Sequence, residues 1–219
     1  YYIILSPVMK KQLNSISFPD NFYFFLISKS PAGLLTRFRV IKELKEIENK
    51  VNPDVVFTIF GPSYWRPKNK HIMGFADGWV YNQDSIAYDK IGFFKRLKMR
   101  LLVQYKIYYL KKNADYFVLE TQDAVNKLNK ILSLNNNNFF VVGNTYSAIF
   151  DNTDYLSESN KKYIHLGKKE NGEYRLMYIA HNHPAKNLSI IKQVIPYLNH
   201  YNVKFILTID SESYEKTFK

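Results

Sequence analysis

The chain has 219 residues, of which 46% are hydrophobic and 23% charged, enough for one large domain or two small ones and too apolar for a disordered chain. It has no cysteine, which excludes disulfide frameworks and thiolate metal sites, and no stretch approaches the ~18 apolar residues needed to cross a bilayer. A net charge of +12 favours acidic partners, whether nucleic acid, anionic lipid or a phosphorylated small molecule, without choosing among them.

The opening "YYIIL" reads as a strand, too short and lacking the basic start of a secretory leader. Ser6 and Pro7 supply an N-cap and a first-turn proline for "PVMKKQLNS". "NFYFFLI" is a second strand. Gly33 to Lys50 is predicted helical, with Leu34, Leu35, Phe38, Ile41, Leu44 and Ile47 at three- and four-residue spacing. "PDVVFTIF" lacks polar alternation apart from Thr58, the pattern of a strand covered on both faces, and "HIMGFA" is another strand. Phe93 to Lys112 is a long basic amphipathic helix with Phe93, Leu97, Leu101, Tyr105 and Tyr108 along one face. "DYFVLE", "TQDAVNKLNKIL" and "NFFVVG" follow as strand, helix and strand, with the Asn run at 135–138 as a loop. The pattern lapses from Asn144 to Gly172, which is polar and turn-rich. "YRLMYIA" is then a strand, about Lys186 to His200 a helix, "VKFILTI" a strand, and Asp210 or Ser211 the N-cap of a last helix. Both ends read as cut from something longer.

Strands alternating with helices imply parallel pairing and doubly wound α/β sheets. The expected division is a first domain over 1–150, a linker over 151–172, and the start of a second domain over 173–219; about 45 residues rarely bury enough to stand alone. In such sheets ligands sit beyond the carboxyl ends of the strands. "FGPSYWRPK", which leaves one of those ends, is therefore a candidate rim.

"NPDVVFTIFGPSYWRPK", "NADYFVLETQDAVNKL", "FFVVGNTYSAIF" and "YRLMYIAHNHPAKNLSIIKQVIPYL", in that order, resemble successive landmarks of the bacterial glycosyltransferases of family 4, which have the GT-B fold. "NADYFVLET" is similar to the family's "ADAVITVS", "VVGNTYS" to "VIPNGVD", and "AHNHPAKNL" to the turn after the first strand of the second domain. The resemblance covers nearly the whole chain through motifs that are individually weak. It implies two facing Rossmann-like domains, the first for an acceptor and the second for a nucleotide-diphosphate sugar, both incomplete here, with no metal or other cofactor. It further implies a sugar transferred with retention to a saccharide or lipid-linked acceptor of cell-surface polysaccharide synthesis, on the cytoplasmic face. The family's glutamate pair spaced eight apart would lie past Lys219, so this stretch by itself is expected to be inactive.

The resemblance makes Lys186 the cation facing the donor diphosphate, beside the N–H groups of a helix start; otherwise it is a solvated lysine by a turn. The family often has an Arg six residues earlier, and here the nearest match is His181, a less dependable positive charge. "HNH" at 181–183 has neither the separated residues of the nuclease family of that name nor a third metal ligand. Asp77 stands where the family has a His-Asp pair, but Ala76 replaces the His; Asp77 either orients an acceptor hydroxyl or caps its turn. Asn144 falls at the interdomain hinge, or is an ordinary turn residue. Tyr64, Trp65, Arg66 and Trp79 fall on loops assigned to one sheet edge, where aromatic faces suit sugar rings, although Trp65 could equally wedge the loop against its own domain. The eight Lys and Arg from Lys90 to Lys112 suit an anionic membrane surface or a solvated face over a core stripe. Two rivals are a non-catalytic saccharide-binding scaffold and a nucleic-acid-binding module, the latter lacking any zinc pattern, RNP-like strand or recognition helix. The 18 Tyr and 16 Phe, in an Asn- and Lys-heavy chain, read as readily as base-composition bias as they do as a ligand surface.

Overall fold

The computed structural model describes residues 1–13, 16–33, 35–145, 167–179, 181–183 and 186–219; most of the expected linker, 151–166, lies outside them. The chain divides into two compact units, one of Tyr1–Gln83 with Leu97–Asn144, the other of Asp84–Arg96 with Thr145–Lys219.

In the first unit β1 (Tyr2–Leu5) and β2 (Tyr23–Leu26) form a parallel pair. Between them α1 (Pro7–Leu13) starts as its Ser-Pro sequence predicts, the Ser6 hydroxyl accepting from the Met9 N–H at 3.3 Å. α2 (Arg37–Val51) begins four residues later than its apolar spacing implies and turns Val40, Leu44 and Glu48 inward. The buried Glu48 has a reason to be there, because Oε1 accepts from the Lys68 N–H at 2.6 Å. A four-stranded parallel sheet follows in chain order: β3 (Val55–Thr58), β4 (Lys70–Gly74), β5 (Tyr116–Leu119) and β6 (Phe139–Val141). β3 lies at its edge, so "PDVVFTIF" is not covered on both faces: Val55 and Phe57 are exposed, Phe57 by 56%.

The core of this unit joins Met73, Phe75 and Val80 to Phe117, Leu119 and Phe139 and to the inner faces of two helices. The turn after β4 leads into α3 (Gly78–Tyr81). α4 (Phe93–Asn113) buries Val103, Ile107 and Leu110, at i, i+4 and i+7. That corrects the stripe expected from the sequence: Phe93, Leu97, Leu101 and Tyr108 point outward. The helix carries two apolar rows, and only the one in its carboxyl half lies against the sheet. α5 (Gln122–Leu132) is capped by Thr121, which accepts from the Ala124 N–H at 3.2 Å, and stops at Ser133, held left-handed at φ 55° with its N–H on the Asn129 carbonyl.

In the second unit β7 (Tyr174–Tyr178) and β8 (Val203–Leu207) are a parallel pair. The helix expected from Lys186 to His200 is shorter. Asn187 at φ 49° prevents an early start, α6 spans Ile190–Val194, and Pro196, which has no N–H to give, sits in the 3-10 turn Ile195–Leu198 that ends it. α7 (Ser211–Phe218) has Asp210 as its N-cap, accepting from the Ser213 N–H at 2.8 Å. Just before β7, Glu173 is buried against Arg175, Lys204 and the Glu170 N–H, with Arg175 foremost in pulling its pKa down to about 2. The parallel α/β class read from the alternation of elements is the class of both units.

Candidate functional site

Because β3 and β4 are parallel, the chain must return from the carboxyl end of one to the amino end of the other, and it does so through 59–69 without a helix. The two ends of "FGPSYWRPK" therefore reach opposite edges of the sheet. At the carboxyl edge the Gly61 N–H donates to the Gly74 carbonyl at 2.8 Å. The approach is close enough that a Cβ on Gly74 would stand 2.0 Å from the Ile59 carbonyl oxygen. At the amino edge Arg66 pairs with Asp115 at 2.5 Å, directly before β5. Arg66 thus leaves the group of rim residues to which its neighbours were assigned.

Trp65 leaves it as well. It is 6% exposed and packs with Ile27, Val40 and Leu44, so its ring has no face to offer a sugar; its indole N–H has no partner among the described residues. Tyr64 is half-buried in a cluster the sequence did not announce. Arg37, at the start of α2, lies over the rings of Tyr64, Tyr105 and Tyr109. Its guanidinium donates to the hydroxyls of Tyr109, at 2.8 Å, and Tyr105, and to the Pro31 carbonyl. Cation–π contact and charge-assisted hydrogen bonds together clamp the loop to two helices. Burial, ahead of the charges around it, pushes the Tyr64 phenol above its ordinary pKa.

Beneath the loop runs a buried polar chain. His71 is fully buried on β4; its Nδ1 faces the Asn113 carbonyl and its Nε2 the Thr58 hydroxyl at 2.8 Å. A carbonyl only accepts, so Nδ1 carries the proton and Nε2 accepts from Thr58, which satisfies the neutral ring at both nitrogens. The Asn113 amide donates to the Ser63 carbonyl at 2.8 Å, and the Ser63 hydroxyl donates to the Trp65 carbonyl at 2.7 Å. Burial, as the largest cause, depresses the His71 pKa. The unfolded chain then binds the proton more readily than the folded one, so stability is complete above the unfolded value of about 6.5 and falls as pH drops below it toward the folded value. Chemical denaturation at a series of pH values between about 7.5 and 5 is expected to show this loss, and His71→Asn to flatten it from a lower starting stability.

Asp77, in the turn after β4, caps α3: its Oδ1 accepts from the Trp79 N–H at 3.0 Å, while its Oδ2 accepts from Lys106 at 2.5 Å. Lys106, from α4, is a second residue that sequence spacing did not single out. Trp79 is partly buried against the main core, and Asn144 is exposed at the end of the first unit.

The turn beyond the carboxyl end of β7 holds the other candidates. His181 is exposed, its ring 5.7 Å from that of His183. The Lys186 N–H donates to the His183 carbonyl at 2.8 Å and its carbonyl accepts from the Tyr178 hydroxyl. The Lys186 side chain is exposed, without an ion pair among the described residues. No Asp or Glu occurs between Tyr174 and Ile209; the nearest acids are those of α7, which the turn meets where Asn182 donates to the Thr217 hydroxyl at 3.1 Å. Lys90, from the 84–96 segment, reaches the same turn and donates to the Asn187 side-chain oxygen and, at 3.1 Å, to the Ser189 hydroxyl. Among the described residues no cluster of three or more His, Asp or Glu is disposed to hold a metal ion, and no helix is long and apolar enough to cross a membrane.

No protein-family model matches the chain, and no curated protein matches it. Solved structures do. The UDP-N-acetylglucosamine 2-epimerase of Rickettsia bellii is 14% identical at a TM-score of 0.47, over 99% of this chain and 56% of that one. The UDP-GlcNAc 2-epimerase of Methanocaldococcus jannaschii is 15% identical at 0.46, over 98% and 60%. MnaA of S. aureus in complex with UDP is 15% identical at 0.44, over 96% and 55%. The chain thus spans between 55% and 60% of the length of these structures. At such distances the likeness adds nothing to the parallel α/β class that the strand pairing itself establishes.

Proposed function

We propose that the chain belongs to an enzyme of nucleotide-sugar chemistry, a glycosyltransferase that moves a sugar from a nucleotide-diphosphate donor to a saccharide or lipid-linked acceptor in cell-surface polysaccharide synthesis. The observation that carries the reading is Lys186: an exposed lysine with no ion pair among the described residues, in an acid-free turn beyond the carboxyl end of a parallel strand. A diphosphate leaving group needs a charge of this kind in such a place. The ordered landmarks shared with family 4 transferases support the same assignment. In the reaction the bond from the sugar's anomeric carbon to the diphosphate oxygen breaks as a bond to an acceptor hydroxyl forms. The hydroxyl attacks from the face the diphosphate leaves, so the configuration is retained, and its proton passes to the departing diphosphate oxygen. Lys186, with His181 as a lesser partner, offsets the charge gathering on the departing diphosphate, while the positive sugar-like transition state is held beside it. Asp77 is the acceptor-side carboxylate, held in place by the Trp79 N–H and Lys106, with Tyr64 and Trp79 near the acceptor. The work is done on the cytoplasmic side, where the outward Leu97 and Leu101 and the cations of α4 rest on anionic lipid.

The test is to incubate the full-length protein with a panel of labelled nucleotide sugars and a lipid-linked acceptor extract. Label in the acceptor and release of free nucleoside diphosphate are expected. Conversion of the donor to its epimer without transfer would replace this reading with epimerisation, and saccharide binding without turnover would replace it with a scaffold.

A further inference from the structure

Lys90 precedes α4, close in sequence to first-unit residues, yet it belongs to the second unit. There its ammonium is held by two neutral oxygens, Asn187 Oδ1 and Ser189 Oγ. The adjacent Asp89 does not neutralise it, because that carboxylate accepts from Arg96 at 3.0 Å. Two cations therefore meet at this turn, Lys186 without an ion pair and Lys90 bonded to an amide and a hydroxyl among the described residues, while Glu215 of the neighbouring α7 is paired with Lys219. A lysine tied down by a carboxylate has its charge cancelled, whereas one held by neutral oxygens keeps it for an anion.

We infer that Lys90 is a second diphosphate-binding residue, positioned by Asn187 and Ser189 and acting beside Lys186. The inference rests on the nucleotide-sugar reading of this turn and adds a residue that the likeness to transferases does not supply. Asn187, left-handed at φ 49°, turns its side-chain oxygen onto Lys90 and so fixes the ammonium without cancelling its charge. A diphosphate arriving at the turn would take hydrogen bonds from both lysines. The same chemical group is carried by a soluble nucleotide and by a lipid-linked diphosphate.

The test is calorimetric titration of the full-length protein with UDP, and separately with vesicles of neutral lipid bearing a polyprenyl diphosphate. Lys90→Met is expected to weaken binding about tenfold and Lys90→Arg to restore most of it. Lys90→Gln, which can still donate to the turn but has no charge, is expected to weaken binding about as much while leaving the melting temperature unchanged. Lys192→Met, on α6, is the neutral control. Charge-dependent binding of either ligand supports the inference and tells which source the site takes. Affinity unchanged in Lys90→Gln and Lys90→Met, with stability lowered in the latter, would make Lys90 a structural tie and overturn it; so would absence of binding to both ligands. Lys90-dependent binding in a protein that transfers no sugar would keep the inference and remove the transferase, and transfer indifferent to Lys90 would do the reverse.

Discussion

Lys186→Met in the full-length protein is expected to lower kcat/KM for sugar transfer by roughly two to three orders of magnitude, the usual effect of removing one donor aimed at developing charge. The loss should fall mainly on kcat, because the diphosphate carries more charge in the transition state than in the bound donor. The fold should not suffer. The contacts of Lys186 with its surroundings are made by its backbone, whose N–H meets the His183 carbonyl and whose carbonyl meets the Tyr178 hydroxyl; the side chain is exposed. Lys186→Arg keeps the charge and is expected to retain a substantial part of the rate. Steady-state kinetics alongside a melting curve separate the two effects. A Lys186→Met enzyme within threefold of wild type would remove the lysine from the chemistry.

Phe117→Ala is expected to destabilise the first unit by about 3–5 kcal/mol, a large part of the ~5–15 kcal/mol that holds a domain folded. Phe117 is 0% exposed on β5, an inner strand, and its ring stacks on that of its register partner Phe139 at 5.5 Å. The vacated space is enclosed by the strands and the inner faces of α4 and α5, which leaves the core little freedom to collapse. Phe57→Ala is the contrast. It removes the same side chain from the edge strand β3, where Phe57 is 56% exposed, and is expected to cost less than about 1 kcal/mol. Urea unfolding of the two variants checks both values. Equal losses would mean that β3 is covered in solution, as its unbroken apolar run suggested.

That pair of phenylalanines shows where the sequence was legible and where it was not. Among the described residues the sequence pattern located every strand of the parallel sheets and the cap Ser6, and it narrowed the last N-cap to Asp210 or Ser211, of which Asp210 serves, because these depend on neighbours a few residues away. It could not tell an edge strand from an inner one, since apolar composition alone does not say what lies alongside. It also picked out the row of α4 from Phe93 to Tyr108, although the buried row is Val103, Ile107 and Leu110. The rim of "FGPSYWRPK" failed for a topological reason. A helix-free return between parallel strands carries Arg66 to the opposite edge and pushes Trp65 into the core, and no local pattern marks the residue at which such a loop turns. The contacts that matter most around the two candidate sites are long-range. Arg37 meets Tyr109, His71 meets Asn113 and Lys90 meets Asn187, and none of these pairs leaves a spacing signature. The likeness to family 4 transferases singles out both Lys186 and Asp77, and both lie in turns next to strand ends, where the α/β rule looks for ligands.

Backbone amide exchange of the full-length protein, with and without saturating UDP, tests the placement of the donor site most directly. Slowed exchange is expected at the amides of 186–191, in the turn beyond β7 and the start of α6, with little change around Arg66 and Asp115 at the opposite, amino edge of the first unit's sheet. Protection confined to that opposite edge, or none anywhere between 181 and 191 while UDP is bound, would contradict that placement.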